Sequence, residues 1–316
     1  MIIPKYTSKD LKIMQSWPLE RKIQVAQLRI MEWYERWEGK VYISFSGGKD
    51  STVLLDLARR MYPDIDAVFV DTGLEYPEIR AFVKTKDNVI RLTPDMSFDK
   101  VIAKYGYPLI SKEVSDSIYN ARSKPDGCRS KKFDPDSDYC KKYGAMYDLS
   151  KWRYLLDSDI PISHLCCDVM KKKPVKKYEK ETGNYPILGT MACESTHRRR
   201  EWLKDGCNGF TKKRPTSQPI SFWTEQDILK YLLDFNIEYS SIYGDIVSEK
   251  GKLITTGEKR TGCMFCMFGC HLEKSPNRFQ RMKITHPKQY DYCIRPIEEN
   301  GLGLGKVLDY ISVKYN

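Results

Sequence analysis

A doubly wound α/β fold, a parallel sheet covered on both faces, is predicted by three features of the 316-residue sequence. Short β-branched and apolar runs recur, helical stripes separate them, and a Ser-Gly-Gly turn joins the first run to a helix. In chain order, Ile23, Ala26, Ile30, Trp33, Tyr34 and Trp37 recur at three- and four-residue steps, which predicts one buried helical face from Glu20 to Trp37. Gly39 stops that helix, so residues 1–39 are expected to be a helical cover. "VYISF" from Val41 is the first expected strand. Val53, Leu54, Leu57, Ala58 and Met61 then form a second helical stripe. "DAVFVDTG", "DNVIRL" and "PILGT" are the following strands, and the sheet domain is expected to span residues 40–240. The polar, weakly periodic segment from Lys112 to Ser150 is expected as an excursion over the mouth of the sheet. Thr224 and Asp227 cap a helix, "EQDILKYLLDF". Residues 241–316 read as a loop-rich, cysteine-rich segment that needs a metal staple.

Composition narrows the class. A 41% hydrophobic and 12% aromatic content excludes a disordered chain. The start, "MIIPKYTSKD", carries no basic-then-apolar leader, and no run approaches the roughly 20 apolar residues of a membrane helix. A soluble cytoplasmic protein without a membrane partner is the expectation. Lys and Arg exceed Asp and Glu by 53 to 42, clumped as "KKKPVKK", "RRR" and "KKR". Such clumps attract phosphates of a nucleotide or nucleic acid, or simply face water. Ten cysteines without a secretory signal point to metal rather than disulfides.

The turn "SFSGGKDS" explains itself by its chemistry. A strand that stops at Phe45, followed by Ser46-Gly47-Gly48 and a helix starting near Asp50 or Ser51, turns several backbone N–H groups toward one point. A phosphate fits there. Lys49 offsets its charge, Asp50 holds magnesium or caps the helix, and Ser46 and Ser51 supply hydroxyls. Two glycines alone would suit an ordinary tight turn; six residues in this order favour the anion site. The Gly-x-x-x-x-Gly-Lys spacing of triphosphatase loops is missing, so γ-phosphate hydrolysis is not expected.

"SFSGGKDS" resembles the pyrophosphate-binding loop of the ATP-pyrophosphatase (PP-loop) superfamily, whose fold is adenine nucleotide alpha hydrolase-like. "VFVDTGLEYPEIRAF" is similar to the second-strand segment of the phosphoadenylylsulfate (PAPS) reductase-like branch, which implies that Asp71, Thr72 and Gly73 sit beside the nucleotide. "GTMACESTHRR" resembles that branch's Gly-x-Arg-x-x-Glu-Ser-x-x-Arg, with Gly189, Glu194, Ser195 and Arg198 in register and Met191 in place of the first Arg. The resemblance covers roughly residues 40–270. It implies an ATP and Mg²⁺ site formed by Ser44, Ser46, Gly47, Gly48, Lys49, Asp50, Ser51, Asp71, Thr72, Gly73, Glu194 and Ser195, with Lys49, Asp50 and Arg198 as catalytic residues.

"CCDVMKKKP" is similar to a segment of the iron–sulfur adenylylsulfate reductases in which adjacent cysteines precede Lys and Pro. Cys166, Cys167, Lys171 and Pro174 keep that spacing, and Cys263 and Cys266 supply the distant Cys-x-x-Cys. The resemblance implies a [4Fe–4S] cluster on Cys166, Cys167, Cys263 and Cys266, clamping the C-terminal segment onto the sheet domain. A Cys₄ zinc site uses the same ligands. Cys270 could replace one of the adjacent pair, and His271 reads as a hydrogen-bonding neighbour. Cys128, Cys140, Cys193, Cys207 and Cys293 have no diagnostic spacing.

Three functions follow from these readings. The first is ATP-dependent adenylyl transfer with pyrophosphate release, coupled to sulfur transfer onto a nucleic acid or small acceptor, with a sulfur-donor or electron-donor protein as partner. The second is a sulfonucleotide reductase that releases sulfite. It ranks lower because "VLDYISVKYN" lacks the mobile Glu-Cys-Gly nucleophile of those enzymes and because their loop usually departs from Ser-Gly-Gly-Lys-Asp-Ser. The third is a non-catalytic nucleotide- or nucleic-acid-binding module with structural zinc, which the intact Lys49, Asp50 and Ser51 disfavour.

Overall fold

Val41, Tyr42 and Ile43 are all buried, because a parallel strand at the centre of a sheet has no face left for water. The structure, a computed structural model, describes residues 5–144 and 147–316. Strands β1 (Val41–Ser44), β2 (Ala67–Val70), β3 (Val89–Leu92), β4 (Tyr185–Leu188), β5 (Asn208–Gly209) and β6 (Thr216–Ser217) form one sheet in the order β3-β2-β1-β4-β6-β5. All pairs are parallel except β5 with β6, and Ile43 stands opposite both Ala67 and Ile187. The expected doubly wound α/β architecture is therefore present. Helices Lys49–Arg59 and Pro77–Lys84 carry the chain from β1 to β2 and from β2 to β3. The chain then returns to the far side of β1 as β4, so the carboxyl ends of β1 and β4 flank the point where strand order reverses. Open α/β sheets bind ligands at that point.

The chain divides into two compact units that interleave along the sequence. The first comprises Met1–Asp71, Glu75–Thr93 and Val175–Thr261 and contains the sheet. Its cover helix, Leu19–Arg36, buries Ala26, Ile30 and Trp33, and Trp37 stacks on Tyr185 at a centroid distance of 3.5 Å. Gly39, at φ +77°, turns the chain into β1. Val53, Leu54, Leu57 and Ala58 are fully buried as the stripe predicts, while Met61 falls beyond the helix end. The expected cap of Glu225–Asp234 is present: Asp227 accepts from Thr224 N–H at 2.7 Å and also receives the buried Lys22 Nζ at 2.7 Å. One carboxylate thus ties the cover to this helix.

Two expectations need correction. Residues 241–255 are not all loop, because β7 (Ile246–Glu249) and β8 (Lys252–Thr255) form an antiparallel hairpin around Lys250 and Gly251, both at positive φ. The segment from Lys112 to Ser150 opens with a well-formed helix, Lys112–Ser123, capped by Ser111. Its buried face alternates Val114 and Ile118 with Ser115 and Ser117, and those serines dilute the hydrophobic period.

That helix belongs to the second unit, Thr72–Leu74, Pro94–Pro174 and Gly262–Asn316. Helices Arg278–Thr285, Pro287–Ile294 and Leu304–Tyr310 add Phe279, Cys293, Leu304 and Leu308 to its core. Tyr107 ties the two long segments together by donating to Leu302 O at 3.0 Å. Arg122 donates to four carbonyl oxygens, those of Leu155, Leu156, Ser158 and Ile160, and so holds the turn that leads toward Cys166. Among the described residues, no helix is long and apolar enough to cross a membrane.

Candidate functional site

The turn after β1 is tight because neighbouring side chains leave no room for a larger residue. Gly47 sits at φ +71°, and a β-carbon there would lie 2.7 Å from Val83 Cγ2 and 2.8 Å from Ile79 Cγ2. Gly189, at the end of β4, is also tightly packed, since its β-carbon would stand 3.2 Å from Ser51 Cα. The helix begins at Lys49 with Gly48 as an extended N-cap, so Asp50 lies inside the first turn and does not cap it. Hydroxyl groups receive the loop's amides: Ser46 N–H donates to Ser51 Oγ at 3.2 Å, Gly48 N–H to Ser46 Oγ at 3.3 Å, and Lys49 N–H to the Tyr243 hydroxyl at 3.1 Å. Ser51 Oγ in turn donates to Gly48 O at 2.9 Å.

Charge is concentrated at this helix start. Lys49 is 4% exposed, with Nζ 3.3 Å from Lys259 O, 3.3 Å from Glu225 Oε1 and 3.6 Å from Asp50 Oδ1. Burial opposes its charge, but Asp50, Tyr243 and Glu225 outweigh that and raise its pKa. Burial pushes the Asp50 carboxyl up, and Lys49 only partly offsets it. Asp50 Oδ1 is itself buried and, among the described residues, makes no hydrogen bond beyond its ion pair with Lys49, which leaves a lone pair available to a cation.

The segment after β4 adds a cationic side. Glu194 accepts from Met191 N–H at 2.7 Å and pairs with Arg198, while Ser195 caps the helix Thr196–Asp205 by accepting from Arg198 N–H at 3.2 Å. Burial lowers the pKa of Arg198, and the nearby Arg260 lowers it further. Arg260 is exposed and has no ion-pair partner among the described residues; its neighbours Lys259 and Thr261 both touch the loop's surroundings. Two guanidiniums in this relation favour a polyanion between them. Cys193 is also exposed; burial of its sulfur pushes the thiol up, and Asp50 adds to that.

Of the other expected contacts, Ser44 ends β1 half-buried, and Asp71 lies buried at the end of β2, paired with Arg91 and, at 3.1 Å, with Arg80. Thr72 Oγ1 accepts from Leu74 N–H at 3.2 Å, and Gly73 turns at φ +75°.

In the second unit the four expected metal ligands meet. Cys166, Cys167, Cys263 and Cys266 line one recess with Leu74, Phe98, Pro108, Met170 and Lys171. Cys166 Sγ lies 3.9 Å from Cys167 Sγ; that hydrogen bond, helped by Lys171 and Lys112, holds Cys167 down to about 6, while Cys166, the donor, is pushed far up. Among the described residues no three such side chains are drawn into a metal-holding shell. The recess therefore gathers the thiols without closing them. Its donor set still suits a soft, thiolate-bound centre, with Lys171 and Arg278 as nearby cations; Arg278 donates to Cys266 O at 2.8 Å. Cys270 is buried and does not line the recess, and His271 packs edge-on against Trp152.

Sequence reasoning missed Tyr243, Thr261, Glu225 and Arg260, which lie far from the loop in sequence and share no spacing with it. The only trace is "EKRTG", a basic and hydroxyl-bearing stretch just before Cys263.

The sequence profile of the Phosphoadenosine phosphosulfate reductase domain matches residues 40–270. An uncharacterized protein of Methanocaldococcus jannaschii is 25% identical over 88% of this chain and 53% of its own length. The chain thus spans about half of that relative. The adenosine 5′-phosphosulfate reductase of Staphylococcus epidermidis is 23% identical over 68% of this chain and 70% of its own. Sulfate adenylyltransferase subunit 2 of Streptomyces lavendulae is 36% identical over 28% of this chain and 25% of its own.

Proposed function

The chain belongs to the phosphoadenosine phosphosulfate reductase domain family, and from that premise we propose that residues 46–51 seat the phosphoryl groups of ATP for adenylyl transfer with release of pyrophosphate. The observation that carries this reading is the loop itself. Three of its amides rest on hydroxyl groups that phosphoryl oxygens can replace, beside a buried lysine. Lys49 and the amides hold the β- and γ-phosphates, and Arg198 and Arg260 stabilise charge gathering on the leaving pyrophosphate. Asp50 Oδ1 would hold Mg²⁺, which spreads the polyphosphate charge when bound. An acceptor oxygen attacks the α-phosphorus as its bond to the pyrophosphate oxygen breaks. A relative named for adenylyl transfer supports the reading.

The second part of the proposal concerns sulfur. Cys166, Cys167, Cys263 and Cys266 would hold a [4Fe–4S] cluster, which supplies iron able to bind and pass on sulfur; zinc is the alternative on the same ligands. The exposed Arg199, Arg200 and Lys213 suit a nucleic-acid acceptor, and delivery of sulfur or electrons calls for a donor protein. The test is anaerobic incubation of the protein with ATP, Mg²⁺ and candidate acceptors. AMP or adenylyl-acceptor and pyrophosphate are expected, and failure across nucleic-acid and small acceptors counts against the reading.

A second reading, a sulfonucleotide reductase, is favoured by relatives named adenosine 5′-phosphosulfate reductase and by the exposed Cys193 beside the loop's charges. It requires that sulfite appear from adenosine 5′-phosphosulfate and a thiol reductant. Cys193→Ser then abolishes sulfite release if that sulfur is the nucleophile.

A further inference from the structure

The first amide of a helix is where an anion's oxygen is best stabilised, because the N–H lacks an intrahelical acceptor and the helix dipole adds positive potential. At Lys49 that amide donates to a neutral hydroxyl from another part of the chain, Tyr243, at 3.1 Å. The Tyr243 hydroxyl lies 2.7 Å from Thr261 Oγ1. Tyr243 is 2% exposed, and Lys49 Nζ lies 5.5 Å from the centre of its ring. A β-carbon at Gly48 would stand 3.1 Å from both hydroxyl oxygens, so the space opposite the loop is already taken by these two groups. Burial pushes the phenol's pKa up, which keeps the group a neutral hydroxyl.

A neutral hydroxyl is a weaker acceptor than a phosphoryl oxygen, so the exchange of one for the other is favourable when phosphate arrives. Losing the amide would leave most buried hydroxyls orphaned. Tyr243 is different, because Thr261 remains as its partner after the amide is given up. The arrangement therefore holds the loop's geometry without ligand and makes its release cheap.

We propose that Tyr243 is a positioning residue of the phosphate seat, its hydroxyl standing in for a phosphoryl oxygen on the Lys49 amide and passing to Thr261 alone when a phosphate binds. This inference rests on the reading of residues 46–51 as a phosphoryl seat and adds the group that competes for it. Segment 243–261, which also carries Arg260, yields locally on binding.

The test measures binding of inorganic pyrophosphate and of ATP with Mg²⁺ to the full chain by titration calorimetry. Tyr243→Phe keeps the ring and its packing on Lys49 and removes only the competing oxygen. It is expected to bind both probes roughly three- to tenfold more tightly than the wild type, the equivalent of one net hydrogen bond. Thr261→Val removes the fallback partner, so it is expected to weaken binding, whereas Thr261→Ser restores the wild-type affinity. Thermal melts verify that each variant is folded. Equal or weaker binding by folded Tyr243→Phe overturns the proposal while leaving the phosphate seat intact. If neither wild type nor variant binds pyrophosphate or ATP, the seat itself fails and the proposal with it.

Discussion

Lys49 is a buried cation whose neighbours are two carboxylates, a carbonyl and an aromatic ring, an environment that fixes its charge and its position together. Lys49→Met should weaken ATP binding on the order of a hundredfold, the loss of a charge-assisted contact, as measured by titration calorimetry. Asp50 behaves in the opposite way. Its raised pKa means that the folded chain holds this proton at pH values where the unfolded chain has lost it. Stability from this group therefore increases as pH falls from above the raised value toward the ordinary carboxylate range. Mg²⁺ binding needs the anion and should weaken across the same window, and Asp50→Asn should flatten both profiles in melts and Mg²⁺ titrations. The strand–turn–helix that carries Lys49, Asp50 and the glycines was legible because its spacing is entirely local. Tyr243 and Arg260 were not, since nothing local in the sequence ties a residue to a turn some two hundred positions earlier.

At the level of elements, strands β1 to β4 could be read from sequence because each is a short, mostly apolar run bounded by turn residues. β5 and β6 are two residues each and leave no pattern to read. The helix Lys112–Ser123 escaped because two of its buried positions are serines, one of which, Ser115, donates to Leu109 O at 2.8 Å and accepts Leu109 N–H at 3.0 Å. Its Arg122 gathers four carbonyls from a turn with few apolar anchors. Arg122→Met keeps much of the stem's packing but orphans those acceptors, so it should cost about 2–4 kcal/mol of stability. Urea denaturation gives that number directly. A change below about 0.5 kcal/mol would mean that water serves those carbonyls equally well.

For the whole molecule, the cysteine pairs were predicted as one ligand set, and all four line one recess within the second unit. Cys263→Ser or Cys167→Ser in anaerobically purified protein should abolish bound iron and acid-labile sulfide and bleach any brown colour. Retention of iron by both variants would remove these residues from the ligand set, and zinc in place of iron would select the alternative centre. The interleaving of the two units could not be read from composition, because the points at which the chain passes between them, after residues 71, 74, 93, 174 and 261, carry no shift in residue type. It has a consequence for how this protein is made and altered. Cys166 and Cys167 leave the ribosome well before the pair that completes their set, so the thiol recess waits for Cys263 and Cys266 to emerge. No contiguous stretch of the gene encodes either unit, and neither can be trimmed away or transplanted as a cassette without cutting the chain of the other.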